Sequence, residues 1–138
     1  MSGFLIDTNV ISELIKSTPA LKVAAWVDTT DEQLFHLSVL TLGEIRRGIV
    51  LLPQSKRRTR LEAWLGGDLL MRFAGRILDI DQEVADRWGH LSGARGATVP
   101  VIDGLLAATA IHHNLTLVTR NTKDMARTGV ALFNPWSD

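Results

Sequence analysis

The chain has no cysteine. Disulfides, thiolate metal sites and cysteine nucleophiles are therefore excluded, and the composition fits a reducing compartment. Net charge is also absent, because 15 Lys and Arg are balanced by 15 Asp and Glu. A bulk basic signature for nucleic acid is thus missing. No long hydrophobic run occurs. The longest, Val99 to Ile111, is too short to span a bilayer and contains Asp103. The first residues lack a basic stretch followed by an apolar run and a cleavage site, so no secretion signal is expected. There is no Gly-rich phosphate loop of either common type, no repeat and no low-complexity segment. What is present is a 138-residue chain with 46% apolar residues. That is enough for one domain with a real core and too little for two. The expectation is a single domain over residues 1–138, in the cytoplasm and without a membrane anchor.

Short apolar strands alternate with helical periods along this chain. A first strand ends at Ile6 and Asp7 follows it. A helix is predicted from Val10 to Lys16, and Ser17-Thr18-Pro19 breaks it. Pro19 suits the first position of a second helix, which runs to about Val27 with Leu21, Ala24, Ala25 and Val27 inward. Leu34 to Leu37 reads as a strand. From Thr41 the apolar residues Leu42, Ile45, Ile49 and Leu52 recur at helical spacing until Pro53. Ser55 to Phe73 reads as a helix or helix pair interrupted at Gly66-Gly67. Arg76 to Ile80 is a strand. Gln82 to Arg95 is a helix with Val84, Trp88 and Leu91 on one face, ended by Gly96. Val101 to His113 is an unusually apolar and hence buried helix, with Asn114 at its end. Leu115 to Thr119 and Ala131 to Phe133 are strands, with a short helix from Asn121 to Ala126 between them. This alternation predicts an α/β fold with a parallel sheet covered on both faces. The four tryptophans, Trp26, Trp64, Trp88 and Trp136, are expected in the core or an interface.

Four carboxylates stand out, and each has a bland explanation. Asp7 follows the first strand and is among the best helix caps. Thr41 and Glu44 have the spacing of a capping box. Asp103 lies in the first turn of the apolar helix, where it suits the helix dipole. Asn121 and Asp124 have the spacing of another cap. Together they say more. Each is expected in the first turn of a helix, and at least three of those helices follow strands directly. In a parallel sheet such turns open on one edge, where open α/β folds place their ligands. Converging carboxylates repel one another, so a hard divalent cation is the natural partner. All-oxygen ligation suits Mg²⁺ or Mn²⁺. No histidine set competes, since His112 and His113 are adjacent on a helix and point apart. Such a site suits phosphodiester hydrolysis with a metal-activated water.

The residues that carry this pattern are Leu5-Ile6-Asp7-Thr8-Asn9, Ser38-Val39-Leu40-Thr41-Leu42-Gly43-Glu44, Asp103-Gly104-Leu105-Leu106-Ala107-Ala108-Thr109-Ala110 and Val118-Thr119-Arg120-Asn121-Thr122-Lys123-Asp124. In this order and spacing they cover nearly the whole chain. The sequence resembles PIN-domain ribonucleases, and among them the VapC-type toxins of type II toxin–antitoxin pairs in the FitB-like branch. The resemblance implies a three-layer α/β/α sandwich around a five-stranded parallel sheet. It implies that Asp7, Glu44, Asp103 and Asp124 form an acidic quartet. Asp7 and Asp103 would bind metal directly, Glu44 and Asp124 directly or through water, and Thr8, Asn9, Thr119 and Asn121 would orient them. It further implies an RNA substrate, commonly structured RNA such as tRNA, a VapB-type antitoxin and a homodimer.

Basic residues that would suit RNA contact are Arg46, Lys56, Arg57, Arg58, Arg60 and Arg120, each of which equally suits a solvated helix face. Aspartyl-phosphate chemistry would want a second acid two residues after Asp7, and Asn9 stands there. The remaining alternative is a non-catalytic interaction domain whose acids only cap helices.

Overall fold

A computed structural model of the chain describes residues 3–94 and 99–137. Its centre is β1 (Phe4–Ile6), which pairs in parallel with β2 (Phe35–Ser38) on one side and β4 (Thr116–Val118) on the other. β3 (Ile77–Leu78) continues beyond β2 and β5 (Leu132–Phe133) beyond β4, so the sheet order is β3-β2-β1-β4-β5, all parallel. The central strand β1 is apolar at every position because both faces are covered. Successive side chains point to opposite faces. Phe4 and Ile6 therefore join one core, with Phe35, Leu37, Val118 and Phe133, while Leu5 joins the other, with Leu117 and Leu132.

The helices sort by the same rule. α1 (Thr8–Leu14), α2 (Leu21–Thr29), α3 (Val39–Val50) and α4 (Lys56–Trp64) supply the first core through Val10, Ile11, Val23 and Ile49, with Leu61 and Trp64 packed against it. α4 continues through a wide turn over Leu65–Leu69 into the short α5 (Leu70–Arg72). α6 (Gln82–Ala94), α7 (Val101–His112) and α8 (Thr122–Met125) cover the other face through Leu91, Leu106, Ala107, Ala110 and Met125. The result is the expected three-layer sandwich. Among the described residues, no helix is long and apolar enough to cross a membrane.

Several local expectations change. α1 starts at Thr8, because the Asp7 carbonyl already accepts the Val10 amide at 3.1 Å. α2 is rotated from its sequence phase: Leu21 is 87% exposed and Val23 is fully buried. The cause is Trp26, which lies against Phe4, Phe35 and Phe133 at centroid distances of 5.1, 5.4 and 5.0 Å. That aromatic cluster, rather than Leu21, sets the inward face. Gly66-Gly67 falls between α4 and α5, inside the wide turn, so the chain stays helical where a break was expected. Val101 and Ile102, at the start of the apolar helix, are exposed. The predicted end of α6 at Arg95 and Gly96 lies outside the described residues. Asn114 has a φ of 56° and stands just past the end of α7, a left-handed position that Asn tolerates better than most residues.

Gly3 explains how close β1 and β2 come at their start. A Cβ there would lie 2.4 Å from the Leu34 carbonyl oxygen and 3.0 Å from the His36 ring. The neighbour is backbone and cannot swing away. Gly3→Ala is therefore expected to cost about 2 kcal/mol or more through overpacking. A lower denaturant midpoint at an unchanged slope checks this.

Candidate active site

The sheet changes direction between β1 and β4. The chain first builds outward through β2 and β3, then returns to place β4 and β5 on the other side. Crevices at such switch points, beyond the carboxyl ends of the strands, are where open α/β folds bind ligands. Asp7 leaves the end of β1 there, and Thr119 leaves the end of β4.

Asp7 is tied to both. Its amide donates to the Val118 carbonyl at 3.0 Å. Its Oδ1 accepts the Thr8 amide at 2.7 Å, and its Oδ2 accepts the Thr119 hydroxyl at 2.8 Å. The residue is only 8% exposed. Burial pushes its carboxyl pKa above the ordinary value. The bonds from Thr119 and Thr8 oppose that rise, and the charges of Glu44 and Asp103 add to it.

The Thr119 hydroxyl is fully used. It accepts from Asn9 Nδ2 at 3.2 Å and from the Asn121 amide at 3.0 Å. A hydroxyl has one proton and two lone pairs. With both lone pairs taken, its proton is directed at Asp7, which favours the ionised carboxylate. Asn9 in turn accepts the Arg120 amide at 3.3 Å. Two ends of the chain are thus sewn together around one carboxylate. Thr119→Val is expected to leave Asp7 Oδ2 and two donors unmatched. Stability should fall by about 2 kcal/mol. Any activity that depends on Asp7 should fall about 10- to 100-fold, as for groups that orient a ligand side chain. Parallel melting and turnover measurements check both.

Glu44 accepts the Thr8 hydroxyl at 2.7 Å. The capping-box expectation for Thr41 and Glu44 does not hold. α3 begins at Val39 and its cap is Ser38, whose Oγ accepts the Leu40 amide at 3.0 Å. Glu44 is therefore an exposed residue of the second turn, where no orphan amide awaits it. Helix capping explains Asp7 in part and Glu44 not at all. Asp103 occupies the first turn of α7 and is half-buried. Its carboxyl pKa is raised, first by burial and then by the charges of Glu44 and Asp124. Asp124 occupies the first turn of α8 and is exposed. Asn121 holds the cap position of α8, but its side chain makes no capping bond, and its amide serves Thr119 instead.

The quartet is thus joined electrostatically: Asp7 feels Glu44 and Asp103, and Asp103 feels Glu44 and Asp124. Among the described residues, no three His, Asp or Glu side chains stand close enough together to hold a metal ion between them. The donors are all oxygen and stand apart. That suits an ion that keeps several waters, as Mg²⁺ does, better than one that demands four protein ligands.

Other charged groups fall elsewhere. His112 pairs with Glu83 at 2.9 Å and lies edge-on to His113, at the end of α7 opposite Asp103. His112 and Asp103 are nine positions apart along the helix, about 14 Å. A broad depression of about 830 Å³ lined by Gln82, Glu83, Asp86, His90 and His112 belongs to that end and not to the acids. Arg46, Lys56, Arg57 and Arg60 are exposed. Arg58 is turned inward, with its Nη1 donating to the Leu52 carbonyl at 3.0 Å and its Nε 3.8 Å from Glu62. None of these arginines and lysines exchanges a hydrogen bond or ion pair with the quartet among the described residues. Arg120 is different, because its backbone is part of the Asn9–Thr119–Asp7 chain and its guanidinium lies over Trp136.

Sequence reasoning missed three features here. Ser38 as the true cap was hidden by the strand-like Val39-Leu40 that follows it. Glu13 was hidden among helical polar residues. It is buried, and its carboxylate takes the Ala20 amide and Lys16 Nζ, each at 2.8 Å. The Arg120–Trp136 stack has no local signal.

Comparison with known proteins gives consistent results. The PIN domain family model matches residues 4–131. Toxin FitB of Neisseria gonorrhoeae is 39% identical over 137 residues, covering 97% of this chain and 99% of that one. VapC ribonuclease Y4jK of Sinorhizobium fredii is 36% identical over 135 residues, 96% of each. The crystal structure of FitAcB from Neisseria gonorrhoeae contains a chain that superposes with a TM-score of 0.90 at 38% identity, over 98% of this chain and 99% of that chain.

Proposed function

The chain belongs to the PIN-domain family, and from that premise we propose that it is a Mg²⁺- or Mn²⁺-dependent endoribonuclease, the toxin of a VapBC-type toxin–antitoxin pair, acting on RNA phosphodiester bonds. Relatives named as a toxin and as a VapC ribonuclease support the class. The observation that carries the chemistry is the convergence on Asp7. Burial raises the proton affinity of this carboxylate, the charges of further acids add to that rise, and a hydroxyl with no other use for its proton opposes it.

In this reading Asp7 and Asp103 hold the ion, with Glu44 and Asp124 bound directly or through water. A bound divalent ion supplies an activated water and charge relief at the leaving oxygen of an in-line displacement. The chain's own groups do the positioning. Thr119 aims its proton at Asp7 Oδ2 and leaves Oδ1 to the Thr8 amide. Thr8 fixes Glu44, and Asn9 locks Thr119 in its rotamer. The charges of the four acids favour a cation at the mouth of the sheet and keep a bare polyanion out until one is bound. Structured RNA such as tRNA is the substrate class, residues 1–138 act as one PIN domain, and the working form is a cytoplasmic homodimer. A VapB-type antitoxin is the inhibitory partner, by analogy with the FitA–FitB complex.

The test is cleavage of total cellular RNA by the purified protein with Mg²⁺, followed by sequencing of the new ends. Discrete ends that vanish under EDTA are expected. No new ends with either Mg²⁺ or Mn²⁺ would overturn the reading. It would leave the domain as a binding module.

A further inference from the structure

A polyanion that approaches four carboxylates meets repulsion everywhere except at the bound cation. A strand that stays in place long enough to react needs a second positive anchor beside the acids. The basic residues differ in whether they are still able to serve. Arg72 and Arg76 are committed to Glu32, with nitrogen–oxygen separations of 3.0 and 3.5 Å. Arg58 is committed to Leu52 and Glu62. Lys16 is committed to Glu13.

Arg120 is exposed and forms no ion pair among the described residues. It directly follows Thr119, whose hydroxyl is 2.8 Å from Asp7 Oδ2, and its amide is fixed by Asn9. Its guanidinium carbon stands 4.9 Å from the centre of the Trp136 ring. Trp136 is itself anchored. Its indole packs on the first core, and its amide donates to Asn134 Oδ1 at 2.9 Å. Glu13, the acid that feels Arg120, already takes Lys16 and the Ala20 amide. A guanidinium over an aromatic ring, with no ion pair among the described residues, keeps its N–H donors available. Those donors form the planar fork that matches a phosphate.

We propose that Arg120, its guanidinium held over the Trp136 ring, binds a backbone phosphate of the RNA strand and so sets the position of the strand. This rests on the ribonuclease reading above. Arg120 is here a positioning residue. It touches the strand and not the reacting atoms, and phosphate contacts of this kind fix register without reading sequence.

The experiment measures binding of a short labelled single-stranded RNA of mixed sequence across a salt series, and cleavage by the same proteins. Binding is measured in the Asp7→Asn background so that the strand stays intact. Arg120→Gln is expected to weaken binding about tenfold. It should also flatten the plot of log affinity against log salt by about 0.7, one phosphate contact on a single strand. In cleavage it raises KM and leaves kcat within about twofold. Arg120→Lys keeps the salt slope while losing part of the affinity, because charge remains and the fork does not. Trp136→Leu weakens binding less than Arg120→Gln. An unchanged affinity and slope in Arg120→Gln, or a loss in kcat at constant KM, overturns the proposal. A wild type that cuts RNA while Arg120→Gln binds as before sinks only the Arg120 assignment. A wild type that cuts nothing sinks the nuclease reading instead, and the salt slope still decides whether Arg120 meets phosphate.

Discussion

Asp7→Asn is expected to abolish RNA cleavage while leaving the protein folded. The loss should be about a thousandfold or more, since a metal centre supplies several kcal/mol of transition-state stabilisation and each ~1.4 kcal/mol is tenfold. Folding should survive for identifiable reasons. The asparagine Oδ1 can still accept the Thr8 amide, and Asn is as good a helix cap as Asp. The amide nitrogen cannot accept the Thr119 proton, at a cost of about 1 kcal/mol. Against this, the variant no longer buries a charge whose neutral form the site favours. In metal-free buffer at neutral pH its melting temperature should therefore match or exceed that of the wild type. Turnover of RNA and a thermal melt on the same preparation decide the matter. A variant that unfolds would mean that Asp7 is a structural cap first, and one that cuts normally would remove the metal-site assignment.

Removal of the divalent ion should have the second large effect, on stability as well as activity. Asp7 and Asp103 both have folded pKa values raised above 3.8. The native state then binds more protons than the unfolded chain between the unfolded and folded values. Stability that is present below the unfolded pKa is lost as pH rises through the folded one. The metal-free protein should thus lose stability as pH climbs out of the acid range, the reverse of an ordinary salt-bridged aspartate. A bound cation favours the charged forms and cancels that loss. At a hundredfold excess over its dissociation constant the ion adds about 2.7 kcal/mol. For a chain of this size that corresponds to roughly 10 °C in melting temperature. Melts over a pH series, with Mg²⁺ against K⁺ at matched ionic strength, would show it. An equal shift with K⁺, or an equal Mg²⁺ shift in Asp103→Asn, would leave the carboxylates without a cation.

The sheet was legible because its signals are local. A short apolar run ending in Asp, or a polar turn before a helical period, can be recognised within ten residues. The five strands and their parallel order follow from such runs. The errors also have local causes. Ser38 and Thr41 are both good caps three residues apart, and only the end of β2 decides between them. Leu21 is the larger apolar side chain beside Val23, yet the rotation of α2 is set by Trp26 against three rings from three different strands. Two adjacent glycines read as a break, and nothing in the sequence announces that a helix widens around them. The bond from Thr119 to Asp7 spans 112 residues. Such a contact can be suspected from shared position on a sheet edge, but not its donor or its rotamer.

The order of the strands also governs when Asp7 acquires its partners during synthesis of the chain. The strand made first, β1, is the central one, and one of its two neighbours is β4. Until residues 116–118 leave the ribosome, β1 has an unpaired edge, and the Val118 carbonyl that receives the Asp7 amide does not yet exist. Thr119, Asn121 and Asp124 come later still. A nascent or prematurely ended chain therefore carries Asp7 without the carbonyl and hydroxyl that fix it. Asp7 is fixed only with the last stretch of translation, and a chain cut short upstream of residue 116 lacks the partners that hold it.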